Sequence, residues 1–397
     1  MSQAIGGTEA PGAARVEGLT LFPERPDWDV QVMRLVAEAE SGGSDVFECV
    51  RTAGRIRERG LTEPVWREEW QRLGRALARR AEEDLAAGPA GATSAVARLL
   101  RATNYLRTAE FFVPHGADLR RELFDETQAT FRKAVPHLPV ETTVIEVADG
   151  DATYEGYVFR GRGASEEAPG PGVVFLGGAD SYAEELYSFG GRAMAERGMT
   201  VIVADTPGRG GTLRRHGIVS RPDYEVPAAK VVDALEKLPF VDPSRIGAVG
   251  LSLGGYYAPR LASADDRIRA LVCWCACFDV LNDLYLYYPP IRSQLRWIVG
   301  AAGEDDALEK LAEFTLADVA AKITCPILIS HGEQDDLMPA SSARRLYESV
   351  SSDDRTIRIW KPGEGGALHC NYDNWADCFP FMFDWLAVRL GSAGRGR

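Results

Sequence analysis

The 397-residue chain has no Cys-x-x-Cys pair, no long apolar run and no surplus of positive charge. Seven cysteines, an odd number without that spacing, argue against a disulfide framework and for a reducing, cytoplasmic setting. No stretch nears the ~18 apolar residues that a membrane-spanning helix needs. The N-terminal "MSQAIGGTEAPGAARVEG" lacks the charged-then-apolar pattern of a signal peptide. With 45 Lys+Arg against 58 Asp+Glu the net charge is −13, and no basic run is present. Nucleic acid and anionic membrane surfaces are therefore not expected partners. The glycines of "DTPGRGGT" (Asp205 to Thr212) match neither GxxxxGK[ST] nor a GxGxxG opening a helix, which excludes a phosphate or dinucleotide loop of those kinds. The acidic "GEDDALEK" reads as a solvated helix start, not a metal cage. No metal and no organic cofactor are called for.

Hydrophobic residues make up 45% and charged residues 26%, the balance of a globular chain with a sizeable core. Residues 1–22 and 391–397 read as disordered tails. From 23 to 137 apolar residues recur at helical spacing, as in "DWDVQVMRLVAEAE" and "EPVWREEWQRLGRALARRAEEDLAAG", with breaks at Gly42-Gly43, Gly60, Gly88-Pro89 and Pro114. From 138 to 390 the pattern changes. "TTVIEV" and "YEGYVFR" form a hairpin around "ADGD". Then "VVFLGG", "MTVIVAD", "RIGAVGLS", "IRALVCWCAC", "CPILISHG" and "RTIRIWKPG" alternate with helices. Such short apolar runs suit a mostly parallel sheet covered by helices, an α/β architecture. Within "CWCAC", Cys273, Cys275 and Cys277 could pass for ligands on one strand face, but in so apolar a run they read as small core residues. The stretch from about 281 to 323 is too long for a simple crossover and predicts a lid insert.

"AVGLSLGGYYAPR" places Ser252 between Gly250 and Gly254, after a strand and before a helix. That context makes G-x-S-x-G a tight turn that lifts a serine nucleophile above the sheet. Such a serine needs a base. Of five histidines, His369 lies in the Gly-rich loop "GEGGALHCNYDNW" after the last strand, where it can reach over the sheet edge. His115 and His137 belong to the helical region, His216 to an early loop, and His331 braces the loop after its own strand. The base needs an orienting carboxylate. "HGEQDDLMP" offers Asp335, favoured over its neighbour Asp336, with Asp279 a third candidate. The order Ser252, Asp335, His369 is that of α/β-hydrolases. Two backbone N–H groups, from Leu253 and from Gly178 or Ala179 in "VVFLGGADSYAEE", complete an oxyanion hole.

"GLSLGGYYAPR", "GGADSYAEELY", "DTPGRGGT", "HGEQDDLMP", "GALHCNYDNW" and the helical "TNYLRTAEFFVP" together resemble the α/β-hydrolases grouped with the fermentation–respiration switch protein, a group that takes in 2,6-dihydroxypseudooxynicotine hydrolase and fungal polyketide-shortening pigment hydrolases. The resemblance spans roughly Pro23 to Leu390. It implies an α/β-hydrolase fold with an N-terminal helical cap region, the triad Ser252, Asp335 and His369, and often a homodimer. It also implies hydrolysis, through an acyl-enzyme, of a small-molecule carbonyl substrate at an ester bond or at a C–C bond beside a ketone. Asp283 matches an extra acid that assists substrate binding in some relatives. Tyr182, Tyr256 and Tyr285, with Trp274, Tyr287 and Tyr288, are expected near the site loops, where they can stack on an aromatic substrate or pack the core and lid. Two rival readings are an acyl-transferring cyclase using the same triad and a silent fold kept for binding.

Overall fold

The structure is a computed structural model in which residues 19–391 are described. Five helices open the chain: α1 (Pro26–Glu38), α2 (Val46–Arg59), α3 (Glu63–Ala86), α4 (Ala92–Glu110) and α5 (Asp118–Ala134). Local chemistry sets several of their ends. Asp45 caps α2 by accepting the Glu48 N–H at 2.8 Å, and Pro64 occupies the first turn of α3, where its missing N–H costs nothing. The apolar stripes of α1 to α4 meet in an aromatic core of Trp28, Trp66, Trp70 and Tyr105. Trp28 and Trp66 lie 4.8 Å apart, and the Trp66 indole N–H donates to the Thr108 carbonyl at 2.8 Å.

The tail boundary at residue 22 needs correction. Residues 1–18 lie outside the described residues, but Phe22 is fully buried against Trp28 and Trp66, and its N–H is accepted by Asp29. At the other end, 392–397 lie outside the described residues, while the Gly391 carbonyl accepts a bond from Arg245. A large aromatic side chain has more to gain in the tryptophan core than in water, so the fold begins earlier than the polar composition suggests.

The remainder is one eight-stranded sheet: β1 (Thr142–Asp149), β2 (Ala152–Phe159), β3 (Gly170–Leu176), β4 (Thr200–Ala204), β5 (Val241–Leu251), β6 (Ile268–Trp274), β7 (Ile327–Gly332) and β8 (Arg355–Trp360). Its order is β1-β2-β4-β3-β5-β6-β7-β8. The first hairpin is antiparallel, β2 pairs antiparallel with β4, and all other pairs are parallel. The helices between and after the strands are α6 (Gly191–Glu196), α7 (Gly210–His216), α8 (Glu225–Leu235), α9 (Gly254–Ala264), α10 (Arg292–Ile298), α11 (Glu304–Ala312), α12 (Ala340–Ser349) and α13 (Trp375–Arg389). The central strands are buried on both faces, as their continuous apolar runs require. The insert after β6 forms α10, α11 and short turns. No helix among the described residues is long and apolar enough to cross a membrane.

Register decides where the loops emerge. Leu176 of β3 pairs with Gly250 of β5, and Leu251 pairs with Trp274 of β6. The segments that follow β3, β5 and β6 therefore leave the sheet side by side at its carboxyl edge. Truncating Phe22 to Ala is expected to cost about 3–5 kcal/mol, read as a lowered urea midpoint by tryptophan fluorescence; an unchanged midpoint would return residues 19–22 to the tail.

Candidate active site

The turn after β5 is sterically dictated. Ser252 has φ 56°, a left-handed conformation that costs an L-residue energy. A Cβ on Gly250 would run into the Gly254 carbonyl, and one on Gly254 would run into the Leu176 carbonyl. Both positions need glycine for the strand to reverse into α9 this closely against β3. The Ser252 N–H is held by the Trp274 carbonyl at 2.9 Å.

The hydroxyl reaches the loop after β8. Ser252 Oγ lies 3.0 Å from His369 Nε2, and His369 Nδ1 lies 2.7 Å from Asp335 Oδ2. A carboxylate only accepts, so Nδ1 carries its proton toward Asp335 and leaves Nε2 to accept from the serine. Asp335 is buried, and its other oxygen accepts the Leu337 and Met338 N–H groups at 2.9 Å each. Burial alone would raise this carboxyl; His369, His331 and the backbone donors outweigh it and hold it below its ordinary range. For His369, burial disfavours the charged ring, but the Asp335 charge and hydrogen bond prevail and raise the imidazole above its ordinary value.

The other candidates are placed differently. Asp336 is half-buried beside the site, and Asp279 accepts from Asn282. His331 Nε2 meets the Met338 carbonyl at 3.0 Å and so braces the acid loop. His115 stacks on Trp297, and His137 is exposed.

The histidine loop is strongly constrained. Asp373 accepts the N–H groups of Gly366, Ala367 and Leu368, and Asn371 donates to the Gly366 carbonyl at 2.6 Å. Cys275 Sγ accepts the Cys370 N–H at 3.1 Å. Ser252, Cys275, Cys370 and Asn371 are the non-glycine residues with positive φ among those described, and all four belong to this edge. Strain gathered at one place and over-determined by hydrogen bonds marks a functional site. The roles of Cys275, Asn371 and Asp373 were not anticipated from sequence; the run of Gly, Asn and Asp around His369 was the available signal. Cys275 also sits in two donor triplets, with His369 and Cys370 and with His331 and Asp335, whose ligand atoms lie within 4.8 Å. Burial pushes the Cys275 and Cys370 thiols up, away from the thiolate that binds metals, while His369 and Asp335 are engaged with each other.

Leu253 and Ala179 each present a backbone N–H that makes no hydrogen bond among the described residues. The Gly178 N–H, by contrast, donates to Ser181 Oγ at 2.8 Å. Of the two alternatives on that loop, Ala179 is thus the one with a donor to offer. Gly178 serves by lacking a side chain, since a Cβ there would stand 3.0 Å from that of Ser252.

A cavity of about 820 Å³, counting its open mouth, lies over Ser252 and His369. Val30, Gln31 and Arg34 of α1 and Phe111 and Phe112 after α4 form one wall, and Leu284, Tyr288 and Ile291 of the insert form another. The four side chains expected to contact substrate do not line it. Tyr182 donates its hydroxyl to the buried Glu110. Tyr256 donates to the Pro222 carbonyl at 2.6 Å, and Tyr285 to Glu304 at 2.7 Å. Asp283 accepts from Ser342, Arg345 and the Asp279 N–H. Each already has its polar partner within the fold, which removes the reason for it to face the cavity. Of the wider aromatic set, Tyr288 does line it.

The helical region is wired to the segment that follows β3. Arg34 pairs with Asp180 at 2.7 Å and with Glu185 at 2.5 Å, and Arg107 binds both carboxylates as well. All four side chains are buried or nearly so. Removing one partner would strand a buried charge.

The profile of a family described as Esterase FrsA-like matches residues 58–390. Among named proteins, the hydrolase acrC of Aspergillus aculeatus is 29% identical, covering 90% of this chain and 95% of that protein. The hydrolyase poxO of Penicillium oxalicum is also 29% identical, over 85% and 91%. The crystal structure of 2,6-dihydroxy-pseudo-oxynicotine hydrolase superposes with a TM-score of 0.78 at 26% identity, covering 89% of this chain and 95% of that one. Wild-type AbyA5, at 19% identity and a TM-score of 0.68, shares the fold.

Asp335→Asn is expected to lower kcat by about 10³–10⁴-fold, because the imidazole loses its tautomer and orientation, whereas Asp336→Asn should stay within about threefold. The pH profile carries a second expectation. The base acts when neutral, so kcat/KM rises with pH through the His369 ionisation, at a value above the ordinary ~6.5. Loss of the Asp335 charge leaves burial dominant, so the residual activity of Asp335→Asn should rise at lower pH than wild type. A limb that stays in place in the variant would mean another group controls it.

Proposed function

The chain belongs to the FrsA-like esterase family and is an α/β-hydrolase enzyme, and from that premise we propose that it is a serine hydrolase working through an acyl-enzyme on Ser252. The observation that carries the reading is the hydrogen-bonded chain from Ser252 Oγ through His369 to Asp335, at 3.0 and 2.7 Å. His369 takes the serine proton as Oγ attacks a substrate carbonyl. The Leu253 and Ala179 N–H groups receive the oxyanion, a contribution of about 2.7–4 kcal/mol per donor to the transition state. The bond to the leaving group breaks with its electron pair departing on oxygen or carbon, and the imidazolium of His369 protonates it. Water, deprotonated by the same His369, then releases the acid and restores Ser252.

The substrate proposed is a small carbonyl compound of acyl-aromatic or β-diketone type, cut at a C–C bond, or an ester of similar shape. C–C cleavage proceeds only where the departing carbanion is stabilised by a second carbonyl or a phenol ring. Two things favour this class. The cavity is walled by Phe111, Phe112, Phe189, Tyr288 and Tyr372, faces suited to a flat ring. In addition, the 26%-identical solved relative is a hydrolase of 2,6-dihydroxy-pseudo-oxynicotine.

The test is intact-protein mass spectrometry after mixing with p-nitrophenyl esters and aryl β-diketones, using wild type, Ser252→Ala and His369→Ala. Wild type is expected to gain the acyl mass and release phenol or ketone, while Ser252→Ala gains nothing. Transfer of the acyl group to an added alcohol, with no acid formed, would favour acyl transfer. No adduct, together with no labelling by a fluorophosphonate, would leave a fold without this chemistry.

A further inference from the structure

Three consecutive carbonyls of the loop after β3 each accept a side-chain hydrogen bond from a different part of the chain. Gly178 accepts from Arg209, in the loop after β4, at 3.2 Å. Ala179 accepts from Gln294 of α10 at 3.2 Å, and Asp180 from Arg107 of α4 at 3.2 Å. The first contact differs in kind from the other two, because the Gly178 carbonyl and the Ala179 N–H are opposite ends of one planar trans peptide. Gly178 and Ala179 line the cavity and Arg209 does not. The Gly178 carbonyl is thus held at one end of this peptide by Arg209, with the Ser181 N–H a second donor at 3.4 Å, while the Ala179 N–H at the other end makes no hydrogen bond among the described residues.

Arg209 is an expensive residue to keep there. It is 3% exposed, forms no ion pair among the described residues, and its Nε and Nη2 find no hydrogen-bond partner. Its guanidinium lies 4.4 Å from the centre of the Tyr257 ring and 5.4 Å from that of Tyr224. Aromatic faces offset only part of the cost of burying a cation. Glycines flank Arg209 in "DTPGRGGT", a stretch that matches no phosphate or dinucleotide loop.

We infer that Arg209 is a positioning residue for the oxyanion hole: its charge, set on the Gly178 carbonyl, orients and polarises the Gly178–Ala179 peptide so that the Ala179 N–H meets the developing oxyanion. Charge-assisted hydrogen bonds are the stronger kind, and a donor polarised at its far end strengthens its own bond. Fixing the dipole before reaction is what makes such a donor effective. The inference rests on the proposed role of Ser252.

The test uses the full chain as wild type, Arg209→Met, Arg209→Gln and Arg209→Lys. Active serines are first titrated with a fluorophosphonate; failure of wild type to label would overturn the acyl-enzyme reading itself, independently of any Arg209 variant. Then kcat per titrated serine and KM are measured on p-nitrophenyl butyrate. The inhibition constant of an aryl trifluoromethyl ketone, whose hemiketal oxyanion occupies the hole, is measured alongside, with a melting temperature for each protein. Arg209→Met is expected to lower kcat about 10-fold to 100-fold and to weaken the ketone by the same factor, with KM within about twofold. Arg209→Lys should recover most of both losses, and Arg209→Gln, which donates without charge, should fall between. If Arg209→Met does not fold, the Gln and Lys pair carries the comparison. Variants that melt lower yet keep kcat per titrated serine and the ketone constant at wild-type values would overturn the inference, as would an effect confined to KM.

Discussion

The turn at Ser252 is the constraint on which the site depends. β5 must reverse into α9 within two residues, against the end of β3, and only glycine at 250 and 254 leaves room for the carbonyls that crowd there. The left-handed backbone of Ser252 is the result. A strained residue persists when its neighbours hold it, and here the Trp274 carbonyl and the packed start of α9 do so. The same closeness brings the Gly178 loop beside the serine, so one steric arrangement sets both the Ser252 hydroxyl and the N–H groups of Leu253 and Ala179.

The facing side of the cavity comes from the helical region, which is more than a cover. Arg34 and Arg107 bind Asp180 and Glu185, placing two cations of α1 and α4 at the residue after Ala179. Charges this buried are held by one another, so the helices and the segment after β3 are fixed as a unit. A second buried cluster joins the same parts, with Glu110 binding Arg120, Arg214 and Tyr182. The aromatic core of α1 to α4 gives these arginines a rigid base.

Sequence carried much of this. Apolar runs located the strands, because a strand buried on both faces must be apolar throughout. G-x-S-x-G located the turn, because its glycines answer a local steric demand. The order of serine, acid and histidine followed from which strand each loop succeeds. The failures share one cause. Tyr182 was expected at substrate, but its hydroxyl is taken by Glu110, 72 residues earlier. Asp283 is taken by Ser342 and Arg345 of α12, and Phe22 by a core assembled from four helices. In each case the partner is distant in sequence, and no local pattern announces it.

What the sequence by itself determined, then, was whatever short-range sterics and periodicity dictate: the strands and helices, the serine turn, and the loops that bring His369 to Asp335. What only the tertiary structure decided was which polar groups are already satisfied. That engages the Gly178 N–H with Ser181, draws Tyr182, Tyr256, Asp283 and Tyr285 away from the cavity, and turns Cys275 and Arg209 toward the backbone of the site. The reason is physical: a buried hydrogen-bonding group is compelled to find a partner, but the chain's fold chooses which one.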